Sequence, residues 1–276
     1  MPVSITLGKY NTEFVTAAED LELPVLDDVA AMKEITDQMK RALEKALERK
    51  TGVVVHGPKG VGKTIALARA ISAHKESEQE LVAKNPSEYR ERRLLEVHGL
   101  SSKTGRDLVM ALLKIVSPGV RDRNLGMRKT DDDLRAELVA ALMNKKYRVL
   151  VFDEAEYLSE RAVDQLRQIM SDAASRESGR VKKTKDGEKI ITAGVGVLLV
   201  GTKEVLEVVS RNADAGHRWA DDIALQPLAP DMVGDCYRQY FPAFRSHIDQ
   251  IGLTAWRDFC ANHVAVGRRI TADQVV

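Results

Sequence analysis

Residues 57–64 read Gly57-Pro58-Lys59-Gly60-Val61-Gly62-Lys63-Thr64, and no other stretch constrains the fold as tightly. The string fits the pattern G-x-x-x-x-G-K-[S/T], a glycine loop that cradles phosphate. The apolar run Val53-Val54-Val55 precedes it, and a helical stretch from Thr64 to Ala73 follows. Strand, glycine loop and helix in that order is the context the motif requires. Glycines let backbone N–H groups close around phosphate oxygens, and a helix N-terminus adds partial positive charge at the same place. The segment from Gly57 to Ile65 is therefore the candidate nucleotide site. Lys63 is expected to reach the β- and γ-phosphates, and Thr64 to hold Mg²⁺.

A site that splits a nucleoside triphosphate also needs a carboxylate at a neighbouring strand end. Arg148-Val149-Leu150-Val151-Phe152-Asp153-Glu154 supplies one: an apolar run bounded by charge reads as a buried parallel strand. Asp153 is the candidate Mg²⁺ ligand. Glu154 is the candidate base that orients and deprotonates the attacking water. A third strand, Val195 to Val200, runs into Gly201-Thr202. Thr202 is the candidate polar group at its tip, within reach of a γ-phosphate or the water. Together these elements predict an α/β fold with a central parallel sheet and ATP, with Mg²⁺, as its ligand.

The order also resembles the AAA+ ATPases: loop lysine, Asp-Glu strand, then a strand ending in a polar sensor. Within them the chain looks most like transposition-regulator ATPases of the TniB/TnsC type, with MuB and IstB more distant. Val149 to Leu158 (V-L-V-F-D-E-A-E-Y-L) is similar to that family's Asp-Glu strand and its continuation. Gly196 to Val205 (G-V-L-L-V-G-T-K-E-V) is similar to its sensor strand. His217-Arg218-Trp219, then Ile223 to Leu228 and Pro230, resemble its arginine–aromatic element and the step after it. The resemblance implies the three-layer AAA+ fold and an arginine that completes a neighbouring subunit's ATP site. Arg218 is the candidate, with Arg211 second; a permanently charged planar fork suits transition-state charge on phosphorus. Gly267-Arg268-Arg269 is similar to the family's lid glycine and second sensor arginine.

Organisation along the chain follows from periodicity and punctuation. Residues 1–25 read as irregular, 26–228 as the nucleotide-binding domain, and 229–276 as a short helical, lid-like region. Val29, Met32, Ile35, Met39, Leu43 and Leu47 recur at helical steps within Asp27–Lys50, giving an N-terminal amphipathic helix. Lys75 to Arg93 is charged and reads as a solvated excursion. Leu94 to Val97 reads as the next strand. Asp107 to Val116 reads as a helix with Leu108, Leu112 and Ile115 inward. Asp131 to Asn144 reads as a helix capped by its acidic triplet, and Ser159 to Ala174 as another with Val163, Leu166 and Met170 on one face. Residues 180–193 read as a β-hairpin around Asp186-Gly187.

Net charge is only +1, so nucleic-acid binding has to be sought in local clusters. Three stand out: Lys103 and Arg106; Arg121, Arg123, Arg128 and Lys129; and Lys182, Lys183, Lys185 and Lys189 on the hairpin. In the resembled transposition ATPases, loops matching the first two face DNA inside a helical oligomer. Aromatic residues are 5% of the chain and none interleave these clusters, which points to duplex phosphates rather than stacked single-strand bases. No apolar stretch approaches a membrane span, and Met1 to Tyr10 has no secretory pattern. Cys236 and Cys260 lack metal-type spacing and read as free thiols. The expectation is a cytoplasmic protein.

The leading functional expectation is an ATP-dependent, sequence-nonspecific duplex-DNA-binding ATPase that oligomerises on DNA as a ring or filament. By resemblance it would regulate transposition with a transposase and a target-selection protein as partners. Two alternatives stand beside it. One is another AAA+ DNA machine, a helicase loader or DNA motor, which the hairpin favours. The other is a nucleotide-switched scaffold ATPase acting on proteins.

Overall fold

The computed structural model describes residues 30–84, 93–100, 102–118, 129–177, 182–183, 189–190, 194–211 and 219–226. The chain divides into two compact units, and the described elements belong essentially to the one spanning Glu34–Leu228. The segments read as irregular (1–25) and lid-like (229–276) lie outside the described residues, as do both cysteines.

Helix α1 (Ala30–Arg49) is the expected amphipathic helix, with Ile35, Met39, Ala42, Leu43, Ala46 and Leu47 buried. It stops where Lys50 turns into the left-handed region at φ 54°. Strand β1 (Gly52–His56) follows at once, then the glycine loop and α2 (Lys63–Lys84). The stretch expected to leave the fold at Lys75 continues as helix to Lys84, because its Glu, Gln, Lys and Ala residues favour helix without needing an apolar face.

Strand β2 (Arg93–His98) leads to α3 (Gly105–Val116), and α4 (Asp131–Asn144) leads to β3 (Tyr147–Asp153). Both helices open with a capping box. Thr104 and Asp107 exchange hydrogen bonds at the start of α3, and Thr130 and Asp133 do so at the start of α4. The cap of α4 is thus Thr130, with the acidic triplet inside the first turn rather than serving as the cap itself. Ile115, expected inward, is 47% exposed, and Leu108, Val109, Leu112, Leu113 and Val116 form the buried face. A 3₁₀ turn (Ala155–Tyr157) precedes α5 (Glu160–Glu177). Two short strands, β4 (Lys182–Lys183) and β5 (Lys189–Ile190), pair antiparallel, Lys182 with Ile190 and Lys183 with Lys189. Strand β6 (Gly196–Gly201), α6 (Glu204–Arg211) and β7 (Trp219–Ala224) complete the unit.

The main sheet has five strands in the order β2-β3-β6-β1-β7, every pair parallel. The three central strands are near-continuous apolar runs because both their faces are covered. Val54, Leu95, Val97, Leu150, Phe152, Val197 and Leu199 pack in one core cluster with Leu112 of α3, Leu138 of α4, Leu166 of α5 and Val205 of α6. Lys75 of α2 pairs with Glu96 of β2 at 2.7 Å. Arg135 ties α4 to α5. Burial opposes its charge, but hydrogen bonds to Asp172 and Asp132 hold the guanidinium above its ordinary pKa.

The edge strand β7 was not legible as a strand, because Asp221 and Asp222 break its apolar pattern. Lys45 and Arg49 of α1 meet Asp221 at 3.3 and 3.2 Å, which lets the acid sit within the sheet. The strand order places β1 between β6 and β7 although those two are consecutive among the sheet's strands. Such a switch in direction leaves a crevice at the carboxyl ends of the strands, where ligands of open α/β sheets bind.

Candidate nucleotide site

The crevice is built from strand ends. The loop after β1 turns through Gly60 and Gly62 at φ 84° and 95°, a region costly for any residue with a side chain. The loop is tied to β6 by the Gly57 N–H, which donates to the Gly201 carbonyl at 3.2 Å. Lys63 folds over its own loop: Nζ donates to the carbonyls of Gly57 and Pro58 at 2.9 and 2.8 Å. Burial lowers the Lys63 pKa, opposed by the negative charges of Glu156 and Asp153. Lys59 is exposed on the loop, Val61 is buried beneath it, and Ile65 is exposed at the first turn of α2.

Asp153 ends β3 and is only 5% exposed. Its Oδ2 accepts a hydrogen bond from the Thr64 hydroxyl at 2.8 Å, joining the loop helix to the acidic strand. Its Oδ1 accepts the Glu154 N–H at 3.0 Å. His98, at the end of β2, brings Nδ1 to 3.9 Å from Asp153 Oδ2, beyond hydrogen-bond range. A hydroxyl and a carboxylate are the hard oxygen donors that Mg²⁺ takes alongside substrate phosphates, so this pair fits that ion. Glu154 is in the left-handed region, φ 57° and ψ 41°, a conformation uncommon for a residue with a side chain. Strain of this kind gathers at functional sites.

Thr202 is buried at the tip of β6. Its N–H donates to Glu156 Oε2 at 3.3 Å. Its hydroxyl donates to Glu204, which together with that residue's own backbone N–H holds the carboxyl below its ordinary pKa. Neither Glu156 nor Glu204 was singled out from the sequence. Glu156 follows Asp153 by three places, between the Asp-Glu strand and the helix read from Ser159; the bend at Glu154 that redirects it has no sequence signature.

The basic candidates are placed differently. Lys103 is exposed before α3. Arg106 is half-buried, paired with Asp131 and donating to the Lys129 carbonyl at 3.2 Å. Lys129 pairs with Glu137 at 2.6 Å. Arg211, on α6, pairs with Glu160 at 3.0 Å and lies near Glu207 at 3.8 Å. Lys182 and Lys183 form β4. Arg121, Arg123, Arg128, Arg218 and Arg268 lie outside the described residues.

A parallel α/β sheet with a glycine loop after its β1 strand and acids at the end of β3, across β6 from it, defines a P-loop nucleotide-binding domain. Residues 44–209 match the family described as AAA domain, and the chain belongs to that family. No curated protein matches it. Among solved structures it is similar to Cdc6p from Pyrobaculum aerophilum, with 16% identity and a TM-score of 0.54 over 81% of this chain and 52% of that one. It is also similar to the ORC2 protein of Aeropyrum pernix in ADPNP–ADP complexes, with 12% identity and a TM-score of 0.51 over 93% and 68%. The ORC1 protein of Aeropyrum pernix in complex with DNA matches with 14% identity and a TM-score of 0.50 over 78% and 51%. The chain thus spans about half the length of Cdc6p and of that ORC1 protein. At these identities the likeness establishes the fold. Among the described residues, no helix is long and apolar enough to cross a membrane.

Proposed function

We propose that the protein binds ATP with Mg²⁺ at the carboxyl ends of β1, β3 and β6, hydrolyses it, and uses the nucleotide state to govern assembly of its own copies on duplex DNA. The observation that carries this reading is the 2.8 Å hydrogen bond from Thr64 to Asp153, which brings loop and acidic strand to one point. Bound Mg²⁺ supplies charge neutralisation at phosphate oxygens. Lys63 exchanges its loop carbonyls for phosphate oxygens, a stronger partner for an ammonium. Glu154 orients a water and accepts its proton as the oxygen bonds to the γ-phosphorus and the bond to the ADP oxygen breaks. Thr202 holds the water or the γ-phosphate in line. Arg218 of a neighbouring copy steadies transition-state charge, with Arg211 as the second candidate.

On the DNA side, exposed Lys103 and the basic residues Arg121, Arg123, Arg128, Lys182 and Lys183 would meet phosphates without reading sequence. Arg106 and Lys129 would join them only by exchanging carboxylate partners for phosphate. Regulation of transposition, with a transposase and a target-selection protein as partners, is the finer reading, supported by the resemblance to the TniB/TnsC type. A second reading, another AAA+ DNA machine, is favoured by the fold likeness to the ORC1 protein whose structure is in complex with DNA. Strand displacement or a specific helicase partner would select it.

The test is binding to a random-sequence duplex with ATP, with ADP, and with Lys63→Ala plus ATP, across a salt series. Binding that needs ATP and Lys63 and weakens steeply with salt is the expected result. Absence of binding in every state would remove DNA and turn attention to a protein client.

A further inference from the structure

We propose that Glu156 is a positioning residue that fixes the tip of β6 against the acidic end of β3, and so sets Thr202 relative to Asp153 and Glu154. The proposal deepens the hydrolytic reading above and rests on it for its catalytic consequence.

The argument begins with where the sheet stops. The β3–β6 ladder ends at the pair Phe152 and Leu199. Asp153 and the Glu154 that follows β3, and Val200, Gly201 and the Thr202 that follows β6, run past that last rung. On its far side the β6 tip is still held, because Val200 and Gly201 pair with Val55 and His56 of β1. On the β3 side the ladder supplies nothing further. There the hydrogen bond from the Thr202 N–H to Glu156 Oε2, at 3.3 Å, bridges the two strand ends.

Two features of the backbone serve this bridge. The left-handed Glu154 bends the chain out of β3 into the 3₁₀ turn Ala155–Tyr157, which returns the Glu156 carboxylate toward β6. Gly201 leaves room for it, since a Cβ at that position would lie 2.3 Å from Glu156 Oε2. The Glu156 charge also supports the Lys63 ammonium, but its hydrogen bond is to the Thr202 N–H, and through that bond it acts on the β6 tip. A displacement of even about 1 Å at such a group is enough to slow chemistry substantially.

The experiment compares the full-length protein with Glu156→Gln, Glu156→Asp and Glu156→Ala. It reads ATP turnover, KM, melting temperature, and amide hydrogen exchange of the peptide spanning β6 and Thr202. Gln keeps an acceptor oxygen at the same reach without the charge; Asp keeps the charge and falls one methylene short. The expected result is Gln within about twofold of wild type, and Asp and Ala lowering kcat by about tenfold with KM little changed. Exchange at the β6 tip should be faster in Asp and Ala and unchanged in Gln. Turnover preserved by Asp and lost in Gln would overturn the proposal, because charge rather than reach would then matter. So would unchanged exchange in Asp or Ala. Should Ala fail to fold, the Gln–Asp pair still decides. A wild-type protein without turnover would sink the hydrolytic reading alone, and the exchange data would still decide the tether.

Discussion

The loop after β1 and the ground between α3 and α4 both set cations beside a helix start, and they use them in opposite ways. In the first, Lys63 rests on two main-chain carbonyls of its own loop, weak partners that a phosphate can replace. In the second, Arg106 is taken by Asp131 and a main-chain carbonyl, and Lys129 by Glu137. A phosphate cradle is specified by backbone shape and spacing, so its lysine is held ready. A basic cluster beside acidic helix starts becomes a tie between elements unless a more highly charged ligand competes. Counting basic residues does not distinguish the two; their partners do.

The largest effect that would break this comparison is expected in the shared core. Leu112 of α3 is fully buried in the core cluster. Leu112→Ala should lower unfolding free energy by about 2–5 kcal/mol in a urea titration. The folded fraction should bind nucleotide as before, because the loop after β1 is built from other elements. Lys63→Ala should come next, weakening ATP binding by about 100-fold, near 3 kcal/mol, with melting little changed. An equal loss of melting temperature would mean that Lys63 is a structural tie like Arg106.

A smaller contrast separates the two basic residues of the first cluster. Lys103→Ala should weaken duplex binding and reduce the salt slope by about 1. Arg106→Ala should chiefly cost stability, roughly 0.5–1 kcal/mol for a partly exposed ion pair, which urea unfolding measures. The reverse pattern would show that Arg106 gives up Asp131 for DNA.

The smallest effect concerns pH. Hydrogen bonds from the Thr130 hydroxyl and backbone N–H hold the Asp133 carboxyl below its ordinary pKa. A carboxyl depressed in the folded state adds stability above its unfolded pKa and loses it as pH falls through the folded value. Thr130→Val should therefore narrow the gap in stability between neutral pH and the region below about pH 4. Urea midpoints at several pH values check this, and an unchanged acid limb would count against the capping box.

How much of this was legible in the sequence depended on what each feature is made of. The loop from Gly57 to Thr64 and the apolar strands β1, β3 and β6 were readable because spacing and continuous burial are written directly in residue order. The far half of α2 reads as a loop because a charged run with few apolar residues looks like one until its helix propensity is weighed. Strand β7 was missed because Asp221 depends on Lys45 and Arg49, which lie far away in sequence. Glu156 was passed over for the same kind of reason. Its partner, Thr202, is brought to it only by the bend at Glu154 and the neighbouring strand.

The most direct measurement is steady-state ATP turnover of Glu154→Gln beside the wild type, with binding of a fluorescent ADP analogue followed in both. The account predicts a fall in turnover of about 100-fold or more, the range for loss of a general base, with ADP binding within about twofold. Turnover equal to wild type would contradict the assignment of hydrolysis to the end of β3.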